Sequence, residues 1–163
     1  GKDNVYIVTT NNIALPDSPL NFIDKKEYIS KYVPNSNIIQ VKSPYKAEEL
    51  LSRFDLNNTI SIFAYSYKDS GRIAYNNVDG TPGYFKPFTV IEDCNPASKN
   101  GYILVLPQYH IKTKMGPISG TNVRWTIRNV IKSNPTSLDN ISLFRKMMGW
   151  YDKELYIKLI NKL

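Results

Sequence analysis

Apolar and polar positions fall into short blocks whose period changes along the chain. Val5-Tyr6-Ile7-Val8-Thr9 is a β-branched run closed by Thr10-Asn11-Asn12, which predicts a buried strand. Pro16 and Pro19 mark an extended loop. Ile23, Tyr28, Ile29 and Tyr32 lie near one face of a helix running to Val33, with Asp24 as its expected cap and Pro34-Asn35 as its stop. Ile38-Ile39-Gln40-Val41 predicts a second strand. Ser43-Pro44 opens another helix with proline at its first position, where a missing N–H costs nothing, and Ala47, Leu50, Leu51 and Phe54 form its stripe. Asn57-Asn58 turns the chain into a third strand at 60–65, and Tyr102-Ile103-Leu104-Val105-Leu106 predicts a further buried one.

Strands alternating with helices at this spacing predict βαβ units and a parallel sheet. In such sheets the ligand crevice lies at the carboxyl ends of the strands, which places residues 9–12, 42–43, 65–68 and 107–119 along one rim. Residues 66–100 break the pattern with Gly71, Gly80, Pro82, Gly83, Pro87 and Pro96, yet keep enough apolar side chains to predict a packed excursion with a short helix at 70–76. Asn134-Pro135 is a break, after which Thr136 or Ser137 starts a helix that Gly149 ends, and Asp152 caps a last helix carrying Leu155, Leu159, Ile160 and Leu163. The expected organisation is one core over 1–133, with 66–100 as its irregular excursion, and a helical segment over 134–163 packed on it.

The candidate chemistry gathers at Met115-Gly116-Pro117-Ile118-Ser119-Gly120-Thr121-Asn122-Val123-Arg124. It links an apolar strand to a helix whose stripe is Val123, Ile127, Val130 and Ile131. Hydroxyls stand where they can cap the helix, and its first N–H groups form a natural anion site. Arg124 on the first turn, with Lys112 and Lys114 just before it, puts three cations within reach of one phosphate chain. The plainer alternative is a capped helix with a solvated basic face. Tyr67-Lys68-Asp69-Ser70-Gly71-Arg72 follows the third strand and is either a substrate-facing loop or a polar turn with an exposed ion pair.

The 163 residues suit a single domain with one good core. The chain carries a net charge of +7, and all of the excess falls in residues 101–163, with ten Lys/Arg against three Asp/Glu. A basic half behind a neutral half suggests a polyanion: a nucleoside triphosphate, RNA or DNA. Basic excess for solubility alone is the competing explanation. One cysteine, Cys94, and one histidine, His110, leave no material for a Cys/His metal cluster, so no metal ligands are assigned. No apolar run is long enough for a membrane span, and a reducing, cytoplasmic setting is expected.

Ile118-Ser119-Gly120-Thr121-Asn122-Val123-Arg124, opening a basic helix after an apolar strand, resembles the second signature of the nucleotidylyltransferase superfamily, Ile-Ser-(Ser or Gly)-Thr-x-x-Arg. Phage and viral cytidylyltransferase-like proteins look most similar, sharing a step like Trp150-Tyr151-Asp152-Lys153 into a final helix. The resemblance implies an α/β, Rossmann-like three-layer parallel sheet with C-terminal helices. It implies that Ser119, Gly120, Thr121 and Arg124 hold the β- and γ-phosphates of ATP or CTP, with Lys112 or Lys114 as an auxiliary cation. It places Asp69, with Arg72 beside it, on the substrate side. The implied reaction is attack by a small phosphorylated acceptor on the α-phosphate, with Mg²⁺ bridging the phosphates and pyrophosphate leaving. If the chain is viral, its setting would be the host cytoplasm or the virion.

The superfamily's first signature, a Gly-rich strand end followed by His-x-x-His or His-x-Gly-His, is absent from this sequence, and His110 cannot replace two histidines. That signature normally sits on the central first strand, and residues 5–9 match the second strand better. A sheet without its middle strand exposes two unpaired edges. Two explanations stay open. In the favoured one, an upstream polypeptide segment completes the sheet. In the other, the sheet closed differently and catalysis was lost. Two functions follow: a nucleotidyltransferase, or a non-catalytic nucleotide- or nucleic-acid-binding or structural viral module derived from that fold.

Overall fold

The computed structural model describes residues 4–107, 112–113, 116–149 and 151–163, with the backbone alone at 112–113 and 116–117. In chain order the elements are β1 (Tyr6–Thr9), α1 (Phe22–Tyr32), β2 (Asn37–Gln40), α2 (Glu48–Leu51), β3 (Ser61–Ser66), α3 (Tyr67–Ser70), β4 (Phe85–Pro87), β5 (Gly101–Leu106), β6 (Lys112–Thr113), β7 (Gly116–Pro117), α4 (Gly120–Asn129), α5 (Leu138–Met148) and α6 (Lys153–Lys162). The chain is mixed α/β, with parallel strands in two open sheets. It groups into two compact units, Gly1–Lys42 with His110–Leu163, and Ser43–Tyr109.

In the first unit β1, α1 and β2 form a βαβ unit, its strands parallel with Tyr6 opposite Asn37 and Thr9 opposite Gln40. The N-cap of α1 is Asn21, three residues before the expected Asp24. Asn21 Oδ1 accepts the Asp24 N–H at 2.9 Å, and Asp24 Oδ2 accepts the Asn21 N–H at 3.3 Å. In this capping box Asp24 is the N3 partner, which is why an acid here does not mark the helix boundary. The core of the unit is helical. Ile127, Ile131 and Phe144 are fully buried among Met147, Leu155, Tyr156, Leu159 and Ile160. Phe144 meets Tyr156 edge-on with ring centroids 4.8 Å apart, and the Tyr156 hydroxyl donates to the Pro135 carbonyl at 2.7 Å. Gly149 ends α5 in the left-handed region at φ 78°, and Asp152 Oδ1 accepts the Leu155 N–H at 2.8 Å to cap α6. Both were expected from the sequence.

Helix α1 is fastened to α6 at both ends. Near its start, Asp24 accepts hydrogen bonds from Lys158 Nζ at 2.6 Å and Lys162 Nζ at 2.8 Å. Near its end, Lys31 pairs with Asp152 and the Tyr32 hydroxyl donates to the Met148 carbonyl. The start of one helix therefore faces the end of the other, and Asp24, Lys31, Asp152 and Lys162 each sit at the helix terminus whose dipole favours that charge. Asp24 is 4% exposed. Burial raises the pKa of its carboxyl, but the bonds from Lys158, Lys162 and the Asn21 amide outweigh that and hold it below the ordinary value.

In the second unit β5 is the central strand, flanked by β3 and β4, all parallel. Gly101 opens β5 because a Cβ there would fall 2.7 Å from the Tyr84 ring and 3.0 Å from the Phe85 ring. Two elements differ from expectation. The helix predicted from Pro44 is the single turn α2, since Ala47 takes the left-handed conformation at φ 48° and interrupts it. The short helix predicted at 70–76 is α3, because the Ser66 hydroxyl accepts the Asp69 N–H and so fixes the helix start at Tyr67. By hydrogen-bond pairing β1–β2 and β3–β5–β4 are separate sheets, where a single sheet with one rim was expected. Among the described residues no helix is long and apolar enough to cross a membrane.

Asp24→Asn keeps the cap acceptor and removes the charge. It should destabilise the chain at neutral pH by about 1–3 kcal/mol, less than for a fully buried pair, because the lysines are partly exposed and can rehydrate. The folded pKa is depressed, so the contribution is present above the unfolded carboxylate pKa and lost as pH falls through the folded value. Urea unfolding should show the gap between wild type and variant shrinking progressively below about pH 4.

Candidate functional site: the hollow at the start of α4

Ser119 is the N-cap of α4, with extended backbone, and its hydroxyl accepts the Asn122 N–H at 3.2 Å. That leaves the Gly120 and Thr121 amides at the helix end with no intrahelical carbonyl to meet, at the positive end of the dipole. Arg124 folds back over this turn. One of its guanidinium nitrogens lies 3.5 Å from Thr121 Oγ1, and another would lie 3.0 Å from a Cβ placed on Gly120. Glycine at 120 therefore leaves room for the cation beside the cap, and one helical turn gathers two amides, a hydroxyl and a guanidinium.

The turn borders a hollow of about 500 Å³ within the first unit. Ser119, Gly120 and Arg124 form one side, and Asp17, Ser18 and Lys25 from the β1–α1 loop and α1 form the other. The rest of the lining is largely apolar, with Val123 and Ile127 of α4, Met147 and Met148 of α5, and Leu159 and Leu163 among it. Such a lining, with a few fixed polar groups, is the usual make-up of a small-molecule site.

Two charged side chains in the hollow were not singled out from the sequence. Lys25 donates to the Thr10 carbonyl at 2.9 Å, and burial lowers its pKa. Thr10 directly follows β1, so this cation is anchored at the carboxyl end of that strand. Asp17 lies 3.7 Å from Arg124 Nη2, and its side chain is 82% exposed. Arg124 is thus already faced by a carboxylate that water can readily draw away. Neither residue has a local motif. The only hint was that the loop after the first strand belonged to the expected rim.

The other expected site residues lie elsewhere. Lys114 and His110 fall outside the described residues, and Lys112 is described only as backbone, in β6, where it pairs with Pro117. Asp69 and Arg72 are in the second unit and face each other at 3.8 Å. Asp69 accepts from the Ser66 hydroxyl at 2.9 Å, and Arg72 donates to the Tyr45 hydroxyl at 2.9 Å. Tyr45 stacks on Tyr65, whose own hydroxyl is pushed up to about 12 by burial and by the neighbouring Tyr45 and Asp69. Among the described residues no group of three or more His, Cys, Asp or Glu side chains is placed to hold a metal ion. Comparison with protein-family models, curated proteins and solved structures gave no match.

Gly120→Ala separates the anion site from the fold. Alanine suits the first turn of a helix, so stability should change by no more than about 0.5 kcal/mol. The new methyl displaces the guanidinium, and isothermal titration with tripolyphosphate should show a clear loss of affinity without loss of the folded state.

Proposed function

We propose that this chain is a nucleotidyltransferase-like protein that grips the phosphates of a nucleoside triphosphate at the start of α4. In this reading it passes a nucleotidyl group to a small phosphorylated acceptor. The observation that carries it is Arg124 folded over the cap of α4 at the edge of a hollow large enough for a nucleotide. The resemblance of 118–124 to the nucleotidylyltransferase signature points the same way. So does the βαβ unit of β1, α1 and β2, whose loop after β1 forms one side of the hollow, as in Rossmann-like folds.

The Gly120 and Thr121 amides and the Arg124 guanidinium neutralise the β- and γ-phosphates, and Lys25 adds a second cation. The base and sugar occupy the apolar part between the ends of α5 and α6. An acceptor phosphate oxygen then forms a bond to the α-phosphorus, the bond from that phosphorus to the bridging oxygen breaks, and pyrophosphate leaves. The step needs positioning and charge stabilisation rather than covalent help. Mg²⁺ fits as a passenger on the triphosphate and not as a resident ion: Asp17 is the one acidic side chain among the described residues lining the hollow, and Mg²⁺ commonly enters such sites on substrate phosphates. No role in the hollow falls to Asp69 or Arg72.

Titration with ATP and CTP in the presence of Mg²⁺, followed by a pyrophosphate-release assay with phosphorylated acceptors, tests the proposal. Arg124→Ala should weaken triphosphate binding about tenfold or more, a charge-assisted contact being worth about 1.5–3 kcal/mol. Asp17→Asn should tighten it a few-fold by freeing the guanidinium. Equal losses from Arg124→Ala, Arg128→Ala and Lys132→Ala would point instead to diffuse polyanion attraction.

A further inference from the structure

The outward side of α4 carries a second feature, beyond the turn that borders the hollow. Trp125 and Arg128 lie one turn apart on one stripe, and both are exposed, as is Lys132 on the turn that follows. Trp125 is 55% exposed, while Thr126, Ile127 and Ile131 on the inward side are buried. Asn129 Nδ2 donates back one turn to the Trp125 carbonyl at 2.8 Å. Residues 94–138 contain six Lys/Arg and no Asp or Glu. Among the described residues, none of the ion pairs involves Arg128 or Lys132.

We propose that this stripe binds single-stranded nucleic acid, with a base stacked on the Trp125 indole and the neighbouring phosphates on Arg128 and Lys132. An exposed indole followed by two exposed cations, with no carboxylate near it in sequence, matches a strand whose bases are unpaired and whose backbone is anionic. A duplex keeps its base faces stacked inside and offers nothing to the indole. A lipid surface would call for more apolar side chains on the same stripe, and its other members are polar. An acidic peptide would engage the cations and leave the ring unused.

The test uses the full chain and a short fluorescent oligothymidine strand, read by anisotropy at several salt concentrations. Wild type should bind. Trp125→Ala should weaken binding about tenfold, and Trp125→Phe should keep most of it, since stacking survives in a smaller ring. Arg128→Gln should lower the slope of log affinity against log salt by about 0.7. Saturating tripolyphosphate in the hollow should leave oligonucleotide affinity unchanged once ionic strength is matched. Four outcomes overturn the proposal: no binding by wild type, wild-type affinity in Trp125→Ala, equal affinity for the matching duplex, or equal affinity for poly-glutamate. None of them bears on triphosphate binding in the hollow, which Arg124→Ala reads separately.

Discussion

A buried carboxylate answered by two lysines is the interaction on which the first unit depends. Asp24 could not stay ionised and nearly out of contact with water without compensation, and Lys158, Lys162 and its own capping amide supply it. Because the partners lie 134 and 138 residues away, satisfying one side chain fixes α1 against α6 and so joins segments far apart in sequence. Lys31 with Asp152 and Tyr32 with the end of α5 add the second point of attachment, so α1 cannot pivot about the first.

The hollow follows from that fastening. Its polar side draws on the β1–α1 loop and on Lys25, the residue next to Asp24. Its apolar walls come from the ends of α5 and α6, which α1 is fastened to. The helical core around Ile127, Ile131 and Phe144 sets the angle at which α4 presents its first turn. Charge is distributed to match: the first unit holds 15 of the 21 Lys/Arg and 7 of the 14 Asp/Glu. The unit with an open helix start and an exposed tryptophan is also the one with a net positive field. On the proposed reading, such a field would steer a polyanion toward this unit before any contact forms.

Much of the local structure was legible in the sequence because local rules fix it. The four main strands are short runs centred on Ile, Val, Leu or aromatic residues, and the Asp152 cap and the Gly149 stop are single-residue signals. A hydroxyl cap within Ser119-Gly120-Thr121, with Arg124 one turn on, was legible for the same reason, and the structure selects Ser119. What could not be read depends on distant partners. Ala47 in the left-handed region breaks a helix that its own stripe would support. β4, Phe85-Lys86-Pro87, is three residues in a Pro- and Gly-rich stretch, and only its ladder with β5 makes it a strand. Asp24 reads as a helix cap, and nothing nearby announces two lysines from the last helix. Lys25 and Asp17 enter the hollow through the path of a loop rather than through any motif.

The proposed anion site is the first turn of α4 with Arg124 above it. Backbone amide and side-chain N–H shifts followed by nuclear magnetic resonance during titration with tripolyphosphate test it most directly. The expected result is that the Gly120 and Thr121 amides and the Arg124 Nε–H move furthest and saturate together, while Trp125, Arg128 and Lys132 stay nearly still. Unmoved amides at 120 and 121, with shifts spread over the exposed lysines and arginines, would contradict it.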